Sequence, residues 1–451
     1  MKLIVLLLQT TTAAANKADP AERAKEKAFH LGKVLGVVAG SMLQEAQERA
    51  ANFNPRPYFR MFVGLYAEVL EPEVEAHGPD GAFPLLLVVA DALYALQPAA
   101  LPEFAFAWLE LACHKAFMPH VLLASKQRGW FPFQRLLVAL LRFLEPYLRH
   151  AEMVEPVRLL YKGTLRMLLV LLHDFPEFLC DHHFDLCDAI PPSCIQMRNL
   201  ILSAFPRDMR LPDPFTPNLK VDLLPEISEP PRIVVNFASR LGPVQKDLDA
   251  YLASAPQPQS PFISELCKLV LLPAGDVAIA GTKYDVKKLN ALVLYVGMQA
   301  IQQLQAKSQM GENASIAQSA SMLLFQQMVT EFEAEGRFLF LNAIANQLRY
   351  PNNHTHYFSC VLLYVFAESS SEAVKEQITR VLLERLIVNR PHPWGLLISF
   401  IELIKNPRYS FWSHPFTRCA PEIERLFDNV ARSCIGHGFR KDQVEAEAVG
   451  A

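Results

Sequence analysis

Arg135-Leu136-Leu137-Val138-Ala139-Leu140-Leu141-Arg142-Phe143-Leu144-Glu145-Pro146-Tyr147-Leu148-Arg149 is the stretch on which the fold class turns. Leu136, Leu137, Leu140, Leu141, Leu144 and Leu148 recur at three- and four-residue intervals, with Arg135, Arg142, Glu145 and Arg149 set between them. That spacing predicts a helix with one apolar stripe. Val374, Ile378, Val381 and Leu382 repeat the pattern. Boundary chemistry agrees: Ser371-Glu372 and Pro421-Glu422 open helices, and Asn406-Pro407 closes the run from Leu396 to Ile404. Arg232-Ile233-Val234-Val235-Asn236-Phe237 is the best strand candidate, and it has no obvious partner. The class is all-α.

Helices of some dozen to twenty residues follow one another through short turns bearing Pro or Asn, as at Arg142 to Pro146 and Val388 to Pro393. This layout suits helix pairs stacked as a solenoid, and the lack of a countable period favours degenerate repeats of the HEAT type. Proline is most dense from Phe205 to Pro231, where residues preceding proline are pushed to extended geometry. Its interspersed Phe, Leu and Met make it an ordered strap packed on helices. The reading is a fragment start over 1–28, a helical-repeat part over 29–204, the strap over 205–231, a second helical-repeat part over 232–440 and a frayed tail over 441–451. Two loops, Ala253 to Pro261 and Leu272 to Tyr284, read as mobile.

Composition narrows function. The chain has 451 residues, 51% hydrophobic and 20% charged, which excludes a disordered tail protein. Lys+Arg 43 against Asp+Glu 46 gives a net charge of -3, without the basic excess of phosphate-dominated nucleic-acid binding. Eight cysteines are too sparse for a disulfide scaffold and read as buried thiols of a reducing compartment. Met1-Lys2-Leu3-Ile4-Val5-Leu6-Leu7-Leu8 looks superficially like a signal peptide; its apolar run is short for one and reads better as the end of a core helix of a longer chain. No other stretch is uncharged enough to span a bilayer, so a soluble protein is expected.

Three groups could carry chemistry. Cys180-Asp181-His182-His183-Phe184-Asp185-Leu186-Cys187 with Cys194 concentrates zinc-type ligands, but the spacing matches no paired knuckle, and buried thiols with surface histidines is the favoured reading. His354-Thr355-His356 could relay protons; a helix start capped by Asn353 or Thr355 is favoured. Gly32, Gly36 and Gly40 suit close helix packing rather than a phosphate cradle. No nucleotide, zinc-protease or hydrolase motif occurs, so no metal, cofactor or catalytic residue is assigned. Arg385, Arg390, His392 and Trp394 form a polar aromatic corner at a helix end, of a type that anchors partner peptides or fills a structural gap.

Ile195 through Arg207 to Asp222, Leu289-Asn290-Ala291-Leu292-Val293-Leu294-Tyr295-Val296-Gly297, Phe338 to Tyr364 and Gln377 to Lys405 closely resemble the C-terminal region of the large Not-family scaffold subunit of the CCR–NOT cytoplasmic mRNA deadenylase complex. With upstream segments such as His30 to Ala39 and Tyr161 to Cys187, the resemblance covers residues 29–435. It implies a non-enzymatic, HEAT-like superhelical domain. Such a domain docks a heterodimer of two Not-box subunits and short peptide motifs of translational repressors such as Nanos, supporting mRNA deadenylation, decay and repression. It also implies that the nucleases bind elsewhere on a longer scaffold and that the protein is cytoplasmic, with P-body and nuclear pools. The expected contact residues are Arg207, Arg210, Phe215 and Asn218 on the strap, and Arg349, Tyr350, His354, Tyr357, Arg385, Arg390 and Trp394 at the corner. Competing readings are an RNA-binding solenoid and a zinc-dependent hydrolase.

Overall fold

The structure, a computed structural model, describes residues 20–149, 152–216, 219–254, 260–310, 315–419 and 421–435. The chain packs as two units, the first made of residues up to Phe178 together with Asp185–Ser193, the second of Leu179–Phe184 and everything from Cys194 onward.

In the first unit the helices are α1 (Pro20–Arg49), α2 (Arg56–Leu65), α3 (Glu71–Ala95), α4 (Ala105–Ala112), α5 (Met118–Leu123), α6 (Trp130–Leu148) and α7 (Glu155–Asp174). α1 packs on α3 and α3 on α6, while α2 packs on α4 and α4 on α7. Contacts that skip one or two intervening helices in this way give the two-layered stack of a helical repeat. α6 is the helix of the leucine stripe: Leu136, Leu137, Leu140, Leu141, Leu144 and Leu148 are all buried, and Arg149 reaches back to Glu145 at 2.6 Å on the outer face. Pro146, expected to end this helix, lies inside it. It falls in the last turn, where it removes one backbone bond without breaking the rod. Within α3, Gly78 adopts φ 66° and puts a kink ahead of Pro79. A residue with a Cβ is disfavoured there.

α8 (Pro176–Asp188) supplies residues to both units. The second unit continues with α9 (Ile195–Leu202), α10 (Phe237–Leu241), α11 (Val244–Ala253), α12 (Pro261–Leu269), α13 (Ala274–Ala280), α14 (Val286–Gln309), α15 (Ala320–Glu331), α16 (Ala334–Ala345), α17 (Asn353–Glu368), α18 (Glu372–Leu386), α19 (Trp394–Lys405) and α20 (Pro421–Ile435). Alternation recurs: α14 packs on α16 and α16 on α18, while α15 packs on α17 and α17 on α19. α14 is buried on every side from Leu289 to Gly297, as expected of a helix apolar all round. Phe358 lies so close to Gly297 that a Cβ there would stand 2.2 Å from its ring.

Among the described residues there is no strand, only an isolated bridge between Leu271 and Tyr284. The candidate strand from Arg232 to Phe237 is extended but unpaired. Ile233, Val235 and Phe237 pack on the helical core while Arg232, Val234 and Asn236 are exposed, so its period-two alternation reflects a chain lying on helices. Leu272 to Tyr284, read as a loop, contains α13, which Gly281 ends at φ 68°. Ser371, Pro421 and Asn406 stand at the helix ends where the sequence places them. The tail over 441–451 and the first 19 residues lie outside the described residues.

Candidate docking site

Among its described residues the strap, Phe205 to Pro231, is non-helical apart from the short turns Val221–Leu223 and Pro225–Ser228. Three ties hold it to the helices of the second unit. Trp394 Nε1 donates to the Pro212 carbonyl at 2.8 Å, the Asn353 amide donates to the Glu229 carbonyl at 3.0 Å, and His356 Nε2 pairs with Asp222 Oδ1 at 2.9 Å. Arg207, Arg210 and Phe215 are exposed along it, and Asn218 lies outside the described residues.

Beside the strap, α17 begins at an extended Asn352, whose Oδ1 accepts from the Thr355 amide at 2.9 Å. The cap is therefore Asn352, one residue ahead of the expected Asn353 and three ahead of Thr355. Thr355 serves the preceding turn instead: its hydroxyl donates towards the Tyr350 and Gln347 carbonyls at 2.8 and 3.1 Å, and accepts from the Arg349 amide at 3.1 Å.

Arg349 is 2% exposed. Its Nη1 donates to the Cys180 carbonyl at 3.1 Å, and His183 Nδ1 donates to that same oxygen at 2.8 Å. With Nδ1 carrying the proton, the 3.1 Å approach of Nη1 to Nδ1 is a packing contact and not a hydrogen bond. Burial, and then the Arg349 charge, hold His183 well below the ordinary histidine value. The same two causes push His354 down to about 3. Burial pushes the Tyr350 phenol up to about 12 and raises that of Tyr357, whose hydroxyl donates to Ser321 Oγ at 3.2 Å.

Arg385, 1% exposed, is held by amides: its Nη2 donates to Asn342 Oδ1 at 2.9 Å and Asn346 Oδ1 at 2.8 Å. Its own carbonyl accepts from Asn199 Nδ2 at 2.6 Å. The expected corner thus lies largely in the interior. Arg349, Tyr350, His354, Tyr357, Arg385 and Trp394 are buried, and Arg390 is the exposed member. An Arg and Trp cluster reads alike in sequence whether it faces a partner or secures the fold.

The Cys180 to Cys194 group likewise turns inward. Cys180, Cys187 and Cys194 are buried as expected, but His182 and His183 are buried too, where surface positions were expected. Their helix is enclosed from Phe178 to Phe184. No cluster of three or more metal-ligating side chains occurs among the described residues.

Sequence reasoning missed a groove in the first unit. Of the spaced glycines, only Gly32 meets a neighbouring helix, its missing Cβ pointing at Val88 from 3.7 Å; nothing lies within 4 Å of the same point on Gly36 or Gly40. Gly32 lies instead in a groove of about 560 Å³ between α1 and α3. The available signal was Lys25, Phe29 and Lys33, one helical row at four-residue spacing.

Residues 75–431 match the family described as CCR4-Not complex component, Not1. The chain is 45% identical over 414 residues to the Caenorhabditis elegans CCR4-NOT transcription complex subunit let-711, covering 90% of this chain and 15% of that protein. It is 37% identical over 412 residues to the Schizosaccharomyces pombe general negative regulator of transcription subunit 1, covering 88% and 18% respectively. It therefore spans less than a fifth of the length of these relatives. Among solved structures, the NOT1 superfamily homology domain from Chaetomium thermophilum superposes with a TM-score of 0.83 at 29% identity, covering 96% of this chain and 83% of that one. A Not1 C-terminal domain in complex with Not4 superposes with a TM-score of 0.74 at 27% identity, covering 90% and 82%. A match over more than half of the chain, borne on an all-α repeat fold, places this protein in the Not1 family of CCR4-Not complex components.

Proposed function

We propose that this chain is a non-catalytic docking domain of the CCR4–NOT deadenylase complex. In this reading it binds a heterodimer of Not-box subunits and peptide motifs of translational repressors of the Nanos type. It thereby supports mRNA deadenylation, decay and repression in the cytoplasm, as one part of a longer scaffold that carries the nucleases elsewhere. The supporting observation is the likeness, over 90% of this chain, to a Not1 C-terminal domain whose structure holds Not4. The interior adds to it: His183, Arg349 and Arg385 are enclosed and hydrogen-bonded to backbone and amides, as rigid supports are.

The test is size-exclusion chromatography with light scattering on the chain mixed with the C-terminal halves of both Not-box subunits. A stable 1:1:1 complex is expected. A folded chain that elutes alone, or that binds single-stranded RNA with steep salt dependence, would overturn the reading.

A further inference from the structure

The groove between α1 and α3 lies wholly within the first unit. Its walls are Ala28, Phe29, Gly32, Pro84, Leu87 and Val88. Phe29 is 58% exposed, an unusual position for a phenylalanine well inside a long helix. It is held in place by Lys33, whose ammonium sits 4.2 Å from the ring centroid. Gly32 gives the groove its depth, because any side chain there would project into it.

The groove is rimmed by positive charge. Some cations nearby are neutralised: Lys27 pairs with Glu73 at 2.7 Å, Lys115 with Glu71 at 3.3 Å, and Arg128 with Asp80 at 2.6 Å. Lys25 and Lys33, which complete the groove lining, are in no ion pair among the described residues. An apolar slot with an unneutralised ammonium one turn to either side of its exposed ring asks for an apolar side chain flanked by negative charge.

We propose that this groove docks a short acidic peptide segment of a partner protein, seating one large apolar side chain over Gly32 and against Phe29 with carboxylates on Lys25 and Lys33. The proposal rests on the docking reading above and adds the surface and the chemistry of the segment. Apolar burial supplies affinity, and the two lysines supply register and selection against basic segments.

The test starts from the full chain panned against a display library of random short peptides, with the enriched peptides then synthesised carrying a fluorophore and titrated by anisotropy. Enriched peptides should pair a large apolar residue with Asp or Glu, and should bind more weakly as salt rises. Gly32→Leu, which fills the slot, should abolish binding. Lys25→Glu combined with Lys33→Glu should weaken it about tenfold or more. Lys25 and Lys33 are exposed and Gly32 is half-buried beside Val88, so circular dichroism and thermal unfolding are used to check that each variant folds. Enriched peptides without acidic residues, or binding unchanged in both variants, would overturn the proposal. So would light scattering that shows a dimer of the chain abolished by Gly32→Leu, since the occupant would then be a second copy. The 1:1:1 assembly with the Not-box subunits, measured on the same variants, separates the two readings: a groove that fails while assembly persists sinks this proposal alone.

Discussion

Trp394 and Pro212 stand 182 residues apart in the chain and meet through one hydrogen bond, from the indole Nε1 to the backbone carbonyl at 2.8 Å. The proline-rich strap is thereby fastened to the first turn of α19. Trp394→Phe keeps the ring and loses the donor, leaving a carbonyl unpaired, and should cost about 1 kcal/mol. Trp394→Ala also removes the packed ring and should cost about 3–5 kcal/mol. Urea denaturation reads both, and trypsin should cut faster at the exposed Arg207 and Arg210 of the loosened strap. Unchanged midpoints and cleavage rates would show that the strap is held elsewhere.

Arg349 has no carboxylate partner among the described residues and works through the Cys180 carbonyl. Arg349→Met fills comparable space but removes the buried donor to that oxygen, and a loss of about 1–3 kcal/mol is expected. Arg349→Lys should not rescue it, because one ammonium cannot reproduce the planar fork. Denaturation curves of the two variants settle the matter: a fully stable lysine variant would mean that charge alone is what the site requires.

Two histidine environments give the stability profile opposite slopes. His356 is raised to about 9, chiefly by the Cys360 sulphur 3.8 Å away and then by Asp222, both of which favour its charged form. A raised folded value means that its contribution is fully present below the ordinary value near 6.5 and is lost as pH rises from there through about 9. His354, lowered to about 3 by burial and by Arg349, works in the other sense: stability is lost as pH falls from 6.5 towards 3. Denaturation midpoints across this range should decline on both sides of neutrality. His356→Gln should flatten the alkaline limb only, and a variant that moved the acid limb instead would contradict the assignment.

Glycines of different surroundings should respond in opposite directions to one added methyl. At Gly297 a Cβ would stand 2.2 Å from Phe358, and Gly297→Ala should cost about 1–3 kcal/mol through overpacking. At Gly36, nothing lies within 4 Å of that point, and the residue sits mid-helix on α1. Gly36→Ala should stabilise by about 0.5–1 kcal/mol. Thermal unfolding of the pair distinguishes a tight contact from a mere helix weakness.

Much of the architecture was legible in residue spacing, because helix periodicity is local. The α6 leucines, the openings at Ser371 and Pro421 and the stop at Asn406 all follow from side chains within a few positions of one another. Pro146 misled because a proline in a final turn costs a single bond, and sequence does not say which turn is final. Arg232 to Phe237, the strand candidate without a partner, alternates because one of its faces lies on helices, as alternation reports two faces and not a paired strand. The corner was harder still. Arg349 meets Cys180 and His183 from well over a hundred residues away, and Arg385 meets Asn342 and Asn346 from neighbouring helices. Such partners come from tertiary packing, which no local pattern encodes.

α8 has a consequence for how the chain can be divided. Its middle turn, Leu179–Phe184, packs with the second unit although the residues on either side belong to the first. That turn supplies the Cys180 carbonyl and His183 to Arg349, and Asp181 to Arg232 at 3.2 Å. A C-terminal half expressed from the strap onward would thus lack three of its own internal contacts, and its buried Arg349 guanidinium would lose its carbonyl acceptor. The proline-rich break is therefore not the boundary of the second unit, and a shortened form that keeps these contacts has to include Leu179–Phe184.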